Sequence, residues 1–226
     1  MTLLLRNVNL WDGVRDNSQP RMDVLIEGAT IKEVRATGVH RDGGETRVLE
    51  LDGVFGMPGL IDMHVHLTWD GTADPVATVE AEGEQLTIIR AVAHSQAQLA
   101  SGVTTVRDLG GYVDGPIAIA RAIDRGYFLG PRIIAAGRTV IISGGHDHFW
   151  GIPSDGPAAV LQTVRRQVAL GTGVIKLSAT GGVHGRAEGE EIGQSQLTYE
   201  EMATAAREAH RFGLRVAAHA LGTGGI

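Results

Sequence analysis

The sequence predicts an α/β protein in which a small β unit precedes a series of alternating strands and helices. Two observations support this prediction. Residues 1–56 consist of short apolar runs separated by turn-forming segments, whereas from Pro58 onward short apolar runs alternate with longer amphipathic segments. Short buried strands that alternate strictly with helices are typical of a parallel β/α fold.

The N-terminal part contains four segments with strand character. They read LLLRNVNLW, DVLIEG, TIKEVR and RVLELDG, and the segments WDGVRDNSQP and HRDGGE punctuate them. Gly, Pro, Asn and Asp in the punctuating segments favour turns. We therefore predict a small antiparallel β unit over residues 1–56, followed by a β/α domain over residues 57–226.

The second part has the pattern of five strands and four helices. The strands are LIDMHVHL, VTTVRDLGG, RIIAAG, GVIKLSA and LRVAAHA. The helices are EAEGEQLTIIRAVAHSQAQLASG, GPIAIARAIDRG, GPAAVLQTVRRQVALG and TYEEMATAAREAHRFG. Several of these helical segments end in Gly, which is common just beyond a helix C-terminus, and Gly102 closes the first of them.

The composition excludes several classes of protein. The chain has 226 residues, no cysteine and a formal net charge of −6, without a basic block. Disulfides and thiolate metal sites are therefore excluded, and nucleic acid and anionic membranes are disfavoured as partners. The N-terminal apolar run is too short for a signal sequence, and no later run has the length of a membrane span. We expect a cytoplasmic protein.

Two histidines, His64 and His66, lie near the C-terminal end of the first predicted β/α strand. Side chains alternate across a strand, so both imidazoles point to one side and Val65 points to the other. In β/α barrels this end of the strands carries the chemistry. Two imidazoles one pleat apart can bind one metal ion, and the alternative is that hydrogen bonds satisfy both of them.

A lysine, Lys176, interrupts the apolar strand GVIKLSA. A buried ammonium group without a partner is costly, so its pKa falls. The neutral amine can add CO₂ to form a carbamate, which two cations stabilise as a bridging carboxylate. The alternative is that Lys176 reaches a carboxylate or extends out of the strand end.

The last predicted strand also ends near a histidine, His219. His64, His66, Lys176 and His219 therefore all lie at strand ends, which converge on one mouth in a barrel. One metal site accounts for these four residues more economically than four separate structural roles.

Several segments resemble the amidohydrolase superfamily. They are PGLIDMHVHL, ASGVTTVRDLGG, GPRIIAAG, IKLSATGGV, QLTYEEMATAAREAHRFGLRVAAHA and GTGGI. The resemblance covers nearly the whole chain, and it is closer to the imidazolonepropionase-related branch, which includes Xaa-Pro and Xaa-Arg dipeptidases. It implies a (β/α)₈ TIM-type barrel, of which this chain has about five units, with a β-sandwich to which residues 1–56 contribute.

The resemblance also implies one or two divalent ions, usually zinc, with manganese, cobalt or iron as alternatives. By that likeness His64 and His66 hold the more buried ion, His219 holds the second, and the carbamate of Lys176 bridges the two. A lysine here favours the binuclear, dipeptidase-like branch. The implied reaction is hydrolysis of a small-molecule amide or dipeptide substrate by metal-activated hydroxide. His146, in SGGHDHFWG, resembles a substrate-contacting histidine of the dipeptidase-like members.

Other polar residues receive weaker assignments. Arg186, in the polar loop ATGGVHGRAEGEEIGQSQ, could meet a substrate carboxylate, although a solvated charge is the simpler interpretation. We expect Asp108, which ends the second strand, to play a structural or ligand-orienting role rather than to bind metal. We expect His40, His94 and His210 to lie on the surface.

The chain departs from the family pattern in its strand count. The family barrel has eight strands, and it takes a further histidine from the sixth and a proton-transferring aspartate from the eighth. We therefore expect a chain truncated after the fifth barrel strand, with an incomplete site that an oligomer or a complementary C-terminal segment completes. Two alternatives to a dipeptidase-like enzyme stay open: a non-catalytic metal-binding or structural fragment, and a mononuclear cyclic-amide hydrolase or deaminase.

Overall fold

The chain divides into two units, Met1–Gly59 and Leu60–Ile226, in the computed structural model. The structure describes residues 2–38, 46–184 and 186–226. Within these ranges no helix is long and apolar enough to cross a membrane. The first unit buries apolar side chains of its own, among them Leu4, Val8 and Val24.

The first unit is a five-stranded sheet of mixed direction. Its strands are β1 (Thr2–Leu10), β2 (Gln19–Glu27), β3 (Thr30–Ala36), β4 (Thr46–Glu50) and β5 (Phe55–Gly56). β1 pairs antiparallel with β2, and β2 with β3, but β4 and β5 pair with β1 in parallel. The prediction of an antiparallel unit is therefore wrong for β4 and β5. Apolar alternation identifies a strand but not its neighbour, and β4 joins β1 on the side away from β2.

The second unit alternates strands with helices. Its strands are β6 (Leu60–Val65), β7 (Val103–Asp108), β8 (Arg132–Ala135), β9 (Val140–Ile141), β10 (Ile152–Pro153), β11 (Val174–Ser178) and β12 (Arg215–His219). Its helices are α1 (Pro75–Ala100), α2 (Gly115–Asp124), α3 (Pro157–Leu170) and α4 (Tyr199–Arg211). The five predicted strands and four predicted helices are all present. β9 and β10 were not predicted, because each has only two residues, which is too few to show a periodic pattern.

The strands of the second unit form two parallel sheets, with orders β6-β7-β8 and β10-β9-β11-β12. The N–H of Gly173, just before β11, donates to the carbonyl oxygen of Ala135, at the end of β8, at 2.8 Å. In the part of the chain that the structure describes, the sheets do not close into a barrel. The predicted parallel β/α fold is confirmed.

Local sequence signals set the limits of the helices. α1 begins after Asp74, whose carboxylate caps the first turn, and it has Pro75 at its start. Its backbone is non-helical at Gly83, where φ is 71°. α4 begins with a capping box between Thr198 and Glu201.

The helices bury one face of each parallel sheet. One apolar cluster joins α3 and α4 to β9 and β11, and a second joins α1 and α2 to β6 and β7. Central members of the first cluster are Val140, Val164 and Ile175, and central members of the second are Val106 and Ile119. This packing fixes the strand ends from which the candidate site is built.

Candidate functional site

The predicted histidine pair lies where β6 ends. His64 belongs to the strand and His66 follows its last residue, and the two ring centroids are 5.3 Å apart. The Nδ1 atom of His66 is 2.9 Å from the carbonyl oxygen of Gly110. When Nδ1–H donates to that oxygen, the lone pair of Nε2 is available, which is the common arrangement for a metal-binding histidine.

A buried carboxylate, that of Asp108, organises the loops around His66. Its Oδ2 accepts the N–H of Leu67 at 2.8 Å, and its Oδ1 accepts the N–H of Gly110 at 3.2 Å. Asp108 therefore holds both the residue after His66 and the residue whose carbonyl faces the imidazole. Burial raises the pKa of Asp108 to about 7, although the two hydrogen bonds act in the opposite direction. This is the supporting role expected from the sequence.

Two tryptophans pack against His66. The ring centroids of Trp69 and Trp150 each lie 5.0 Å from that of His66 and 5.2 Å from each other. Burial lowers the pKa of His66 to about 4, and the pKa of His64 is also lowered, first by burial and then by the charge of Lys176. Both imidazoles are therefore neutral at pH 7, the state in which imidazole binds a metal.

Lys176 lies in the middle of β11, a strand in which every residue is buried. The residue is 3% exposed, and none of the described residues gives its ammonium group a hydrogen bond or an ion pair. Burial lowers the pKa of Lys176, and the negative charge of Asp147 opposes this shift. The alternative in which Lys176 binds directly to a carboxylate is not seen among these residues.

His219 ends β12 and pairs in register with Ser178 at the end of β11. Its ring centroid is 4.4 Å from that of His146. Burial lowers the pKa of His219, and its Nε2 atom is buried without a hydrogen-bond partner among the described residues. Gly182 packs against both rings, since a Cβ there would lie 2.8 Å from Nε2 of His219 and still closer to His146.

These side chains line one cavity of about 360 Å³. It brings together all four predicted metal ligands, His146, the acid Asp147 and several apolar side chains. The lining residues are His64, His66, Trp69, His146, Asp147, Lys176, Val183, His184, His219 and Leu221. His64 and His219 lie at the C-terminal ends of β6 and β12, which is where β/α proteins build their sites, and Lys176 reaches the same cavity from the middle of β11.

The remaining predicted residues lie elsewhere. Arg186 is exposed and does not line the cavity, so its contact with a substrate stays a prediction. His210 is exposed as expected, and His40 lies outside the described residues. The surface position expected for His94 is wrong: it is half-buried, with Nδ1 2.9 Å from the carbonyl oxygen of Leu67. α1 packs over the loop after β6, a contact that helix periodicity alone does not reveal.

Three residues near the site were not predicted from the sequence. Asp147 is 7% exposed. The sequence offered one signal for it, because it directly follows the candidate histidine His146. Trp69 also lies near a candidate histidine in the sequence, three residues after His66. Glu190 gave none, because it stands among other acids in a polar loop and its 1% side-chain exposure is a tertiary effect.

The donor set suits a divalent cation. Three neutral imidazoles and a buried lysine face the cavity, and the buried Nε2 of His219 lacks any other described partner. Imidazole and carboxylate are the ligands that zinc and its neighbours prefer. Over the described ranges no three histidine, aspartate or glutamate side chains form a metal-binding group by themselves.

Comparisons with known proteins agree with this arrangement. The model of the Amidohydrolase family matches residues 55–226. Ochratoxinase of Aspergillus niger is 28% identical over 200 residues, which cover 75% of this chain and 40% of that protein. Dihydroorotase of Carboxydothermus hydrogenoformans is 39% identical over 66 residues, which cover 29% of this chain and 14% of that protein.

Solved structures share the fold over the whole chain. The crystal structure of a Xaa-Pro dipeptidase with bound methionine is 31% identical with a TM-score of 0.88, covering 100% of this chain and 58% of that one. A putative prolidase from Bifidobacterium longum is 28% identical with a TM-score of 0.80, covering 99% and 50%. The chain spans about half the length of these proteins, and the predicted partial TIM-type barrel is confirmed. The family model and the structural matches together show that the chain belongs to the Amidohydrolase family.

Proposed function

We propose that this chain forms the metal-binding part of a hydrolase that cleaves amide bonds of the dipeptide type. The observation that carries the proposal is the convergence of His64, His66, Lys176 and His219 on one cavity. Membership of the Amidohydrolase family and the likeness to a Xaa-Pro dipeptidase support the reaction class.

The proposed cofactor is a pair of divalent ions, with zinc preferred to manganese, cobalt or iron. His64 and His66 hold one ion, and His219 holds the other. Lys176 would supply carboxylate oxygens to these ions as a carbamate: its neutral amine forms a bond to the carbon of CO₂ and releases one proton. The lowered pKa of Lys176 favours this step, because only the unprotonated amine reacts.

Bound cations of this kind lower the pKa of a water molecule and polarise a scissile carbonyl group. The chain's own residues prepare the cavity for that chemistry. Burial keeps the imidazoles neutral and able to bind, and the bond from His66 to Gly110 fixes the orientation of its ring. Trp69, Val183 and Leu221 give the cavity an apolar wall. In this proposal His146 contacts the substrate from the loop of residues 143–151.

The test is a hydrolysis screen of the complete gene product against dipeptides and N-acyl amino acids. We expect turnover that a chelator abolishes and that added zinc restores. Hydrolysis that is unaffected by thorough metal removal, or no hydrolysis of any amide by protein that binds two ions, would overturn the proposal.

The same screen addresses the cyclic-amide alternative. The short match to dihydroorotase makes dihydroorotate the appropriate additional substrate. Turnover of dihydroorotate without turnover of open-chain amides would favour this second candidate over the first.

A further inference from the structure

The strand that carries His64 is irregular at that residue. β6 and β7 pair in parallel, with Asp62 opposite Val106 and Val65 opposite Asp108. Between these pairs β6 takes three steps where β7 takes two, so β6 contains one extra residue. The mismatch is a β-bulge, which bends its strand and redirects side chains, and bulges are common next to functional sites.

Two side chains hold one peptide group of this bulge, the group that joins Met63 to His64. Nε of Arg107, which lies on β7 between the two paired positions, donates to the carbonyl oxygen of Met63 at 2.8 Å. Oδ1 of Asp62 accepts the N–H of His64 at 3.0 Å. The carbonyl oxygen and the N–H of the same peptide group are therefore bonded by side chains from two strands.

Fixing both polar atoms of a peptide group fixes the group as a whole, because it is planar. The Cα atom of His64 belongs to that plane, and the imidazole that it carries lines the cavity. His66 is held differently, through the contact of its Nδ1 with the carbonyl oxygen of Gly110. The main chain of one histidine and the ring of the other are thus fixed by separate contacts.

We propose that Asp62 and Arg107 are positioning residues, which hold the peptide group before His64 so that its imidazole is placed to bind a divalent ion. The inference rests on the proposed function, in which His64 binds that ion. Neither Asp62 nor Arg107 lines the cavity, so each acts through the main chain of His64 and not on the substrate.

The charge of Arg107 allows positioning to be separated from electrostatics. Burial, then the charge of Lys176 and then that of Arg107 lower the pKa of His64. The guanidinium charge thus acts at His64, and its removal alone would favour a cation there. Positioning predicts the opposite result for Arg107→Met.

We expect Arg107→Met to weaken zinc binding about tenfold, measured by competition with a chromophoric chelator on the complete gene product, because the peptide group loses its donor. Arg132→Met is the matched control, since Arg132 is exposed at the start of β8. We expect the control to bind zinc like the wild type. Unchanged or tighter zinc binding in Arg107→Met would overturn the role of Arg107.

Asp62→Asn and Asp62→Ala form a matched pair. Both remove the carboxylate charge, and only asparagine keeps an oxygen that can accept the N–H of His64. We expect Asp62→Ala to bind zinc about tenfold more weakly than Asp62→Asn. We also expect its cobalt(II) form to show a changed visible absorption spectrum, which reports the ligand geometry. A loss of thermal stability in Asp62→Ala with the zinc affinity and the cobalt spectrum of Asp62→Asn would overturn the proposal, because it indicates a structural role only.

Hydrogen exchange of the His64 amide in the metal-free wild type needs no variant. We expect this amide to exchange more slowly than in an unstructured peptide, because its N–H is bonded to Asp62. Exchange at the unstructured rate would overturn the proposal, so a variant that fails to fold does not protect it. If the complete gene product binds no zinc, the proposed function fails, and with it any role toward an ion, whereas amide exchange still decides whether Asp62 holds His64.

Discussion

Replacing Gly182 by alanine is the perturbation whose consequence follows most directly from the site geometry. Gly182 packs against the rings of His146 and His219, which come from different loops. A Cβ at this position would lie 2.8 Å from Nε2 of His219 and closer still to the ring of His146, whereas ordinary contact begins at 3.4 Å. The rings must therefore withdraw by at least ~0.6 Å, the shortfall from ordinary van der Waals contact.

The ring of His146 cannot withdraw freely. His146 has a carboxylate on each side, and its ring is 7% exposed. We therefore expect Gly182→Ala to lower the free energy of unfolding by about 1–3 kcal/mol, the usual cost of overpacking a well-packed site. We also expect zinc affinity to fall by about 10–100-fold, because a displaced His219 no longer meets the cation in its best geometry.

The assay is competition for zinc with a chromophoric chelator, together with urea unfolding of the metal-free protein. Gly224→Ala is the control, since a Cβ there would make only ordinary contacts, 3.5 Å from Cβ and 3.6 Å from Oγ of Ser195. We expect the control to behave like the wild type. Wild-type stability and wild-type zinc affinity in Gly182→Ala would refute the packing of these rings against Gly182.

Three further predictions concern single side chains of the site. Lys176→Ala should bind one zinc ion fewer per chain by elemental analysis, and short carboxylates such as acetate should partly restore the second ion; an unchanged stoichiometry would contradict the bridging role. Asp108→Asn should weaken zinc binding about tenfold and cost about 1–3 kcal/mol in urea unfolding, because an amide cannot accept from both Leu67 and Gly110; wild-type values for both would contradict its orienting role. In metal-free protein, His66 should make the free energy of unfolding depend on pH. Its pKa falls from 6.5 to about 4 on folding, so between these values the unfolded chain binds a proton that the folded chain does not. Stability is therefore lost as the pH falls from 6.5 to 4. The difference between wild type and His66→Gln should change by up to about 3 kcal/mol over that window, and parallel stability curves would contradict it.

Much of the fold was predictable because its signals are local. The strand carrying Lys176 and the helix that begins with the capping box of Thr198 and Glu201 are both written in short segments of sequence. The direction of β4 was not predictable in this way, since a strand's pattern does not say which neighbour it pairs with. The half-buried position of His94 likewise depends on Leu67, 27 residues away.

The site, like the fold, was predictable where its signals are local. The convergence of His64, His66 and His219 on one cavity could be predicted, because strand parity and strand ends indicate where side chains meet. The buried positions of Asp147 and Glu190 beside His146 could not be predicted, because both depend on how two irregular loops meet at that histidine. Loops carry no periodicity, so neither the strained backbone of Asp147 nor the burial of Glu190 is visible in the sequence.

The central claim is that His64, His66, Lys176 and His219 together bind divalent metal. Elemental analysis of the purified protein, compared with the double variant His64→Ala/His66→Ala, tests it most directly. His210→Ala is the control, since that histidine is exposed on α4. The account predicts up to two ions per chain in the wild type and in the control, and loss of tight zinc or manganese binding in the double variant. The same metal content in the double variant as in the wild type would contradict it.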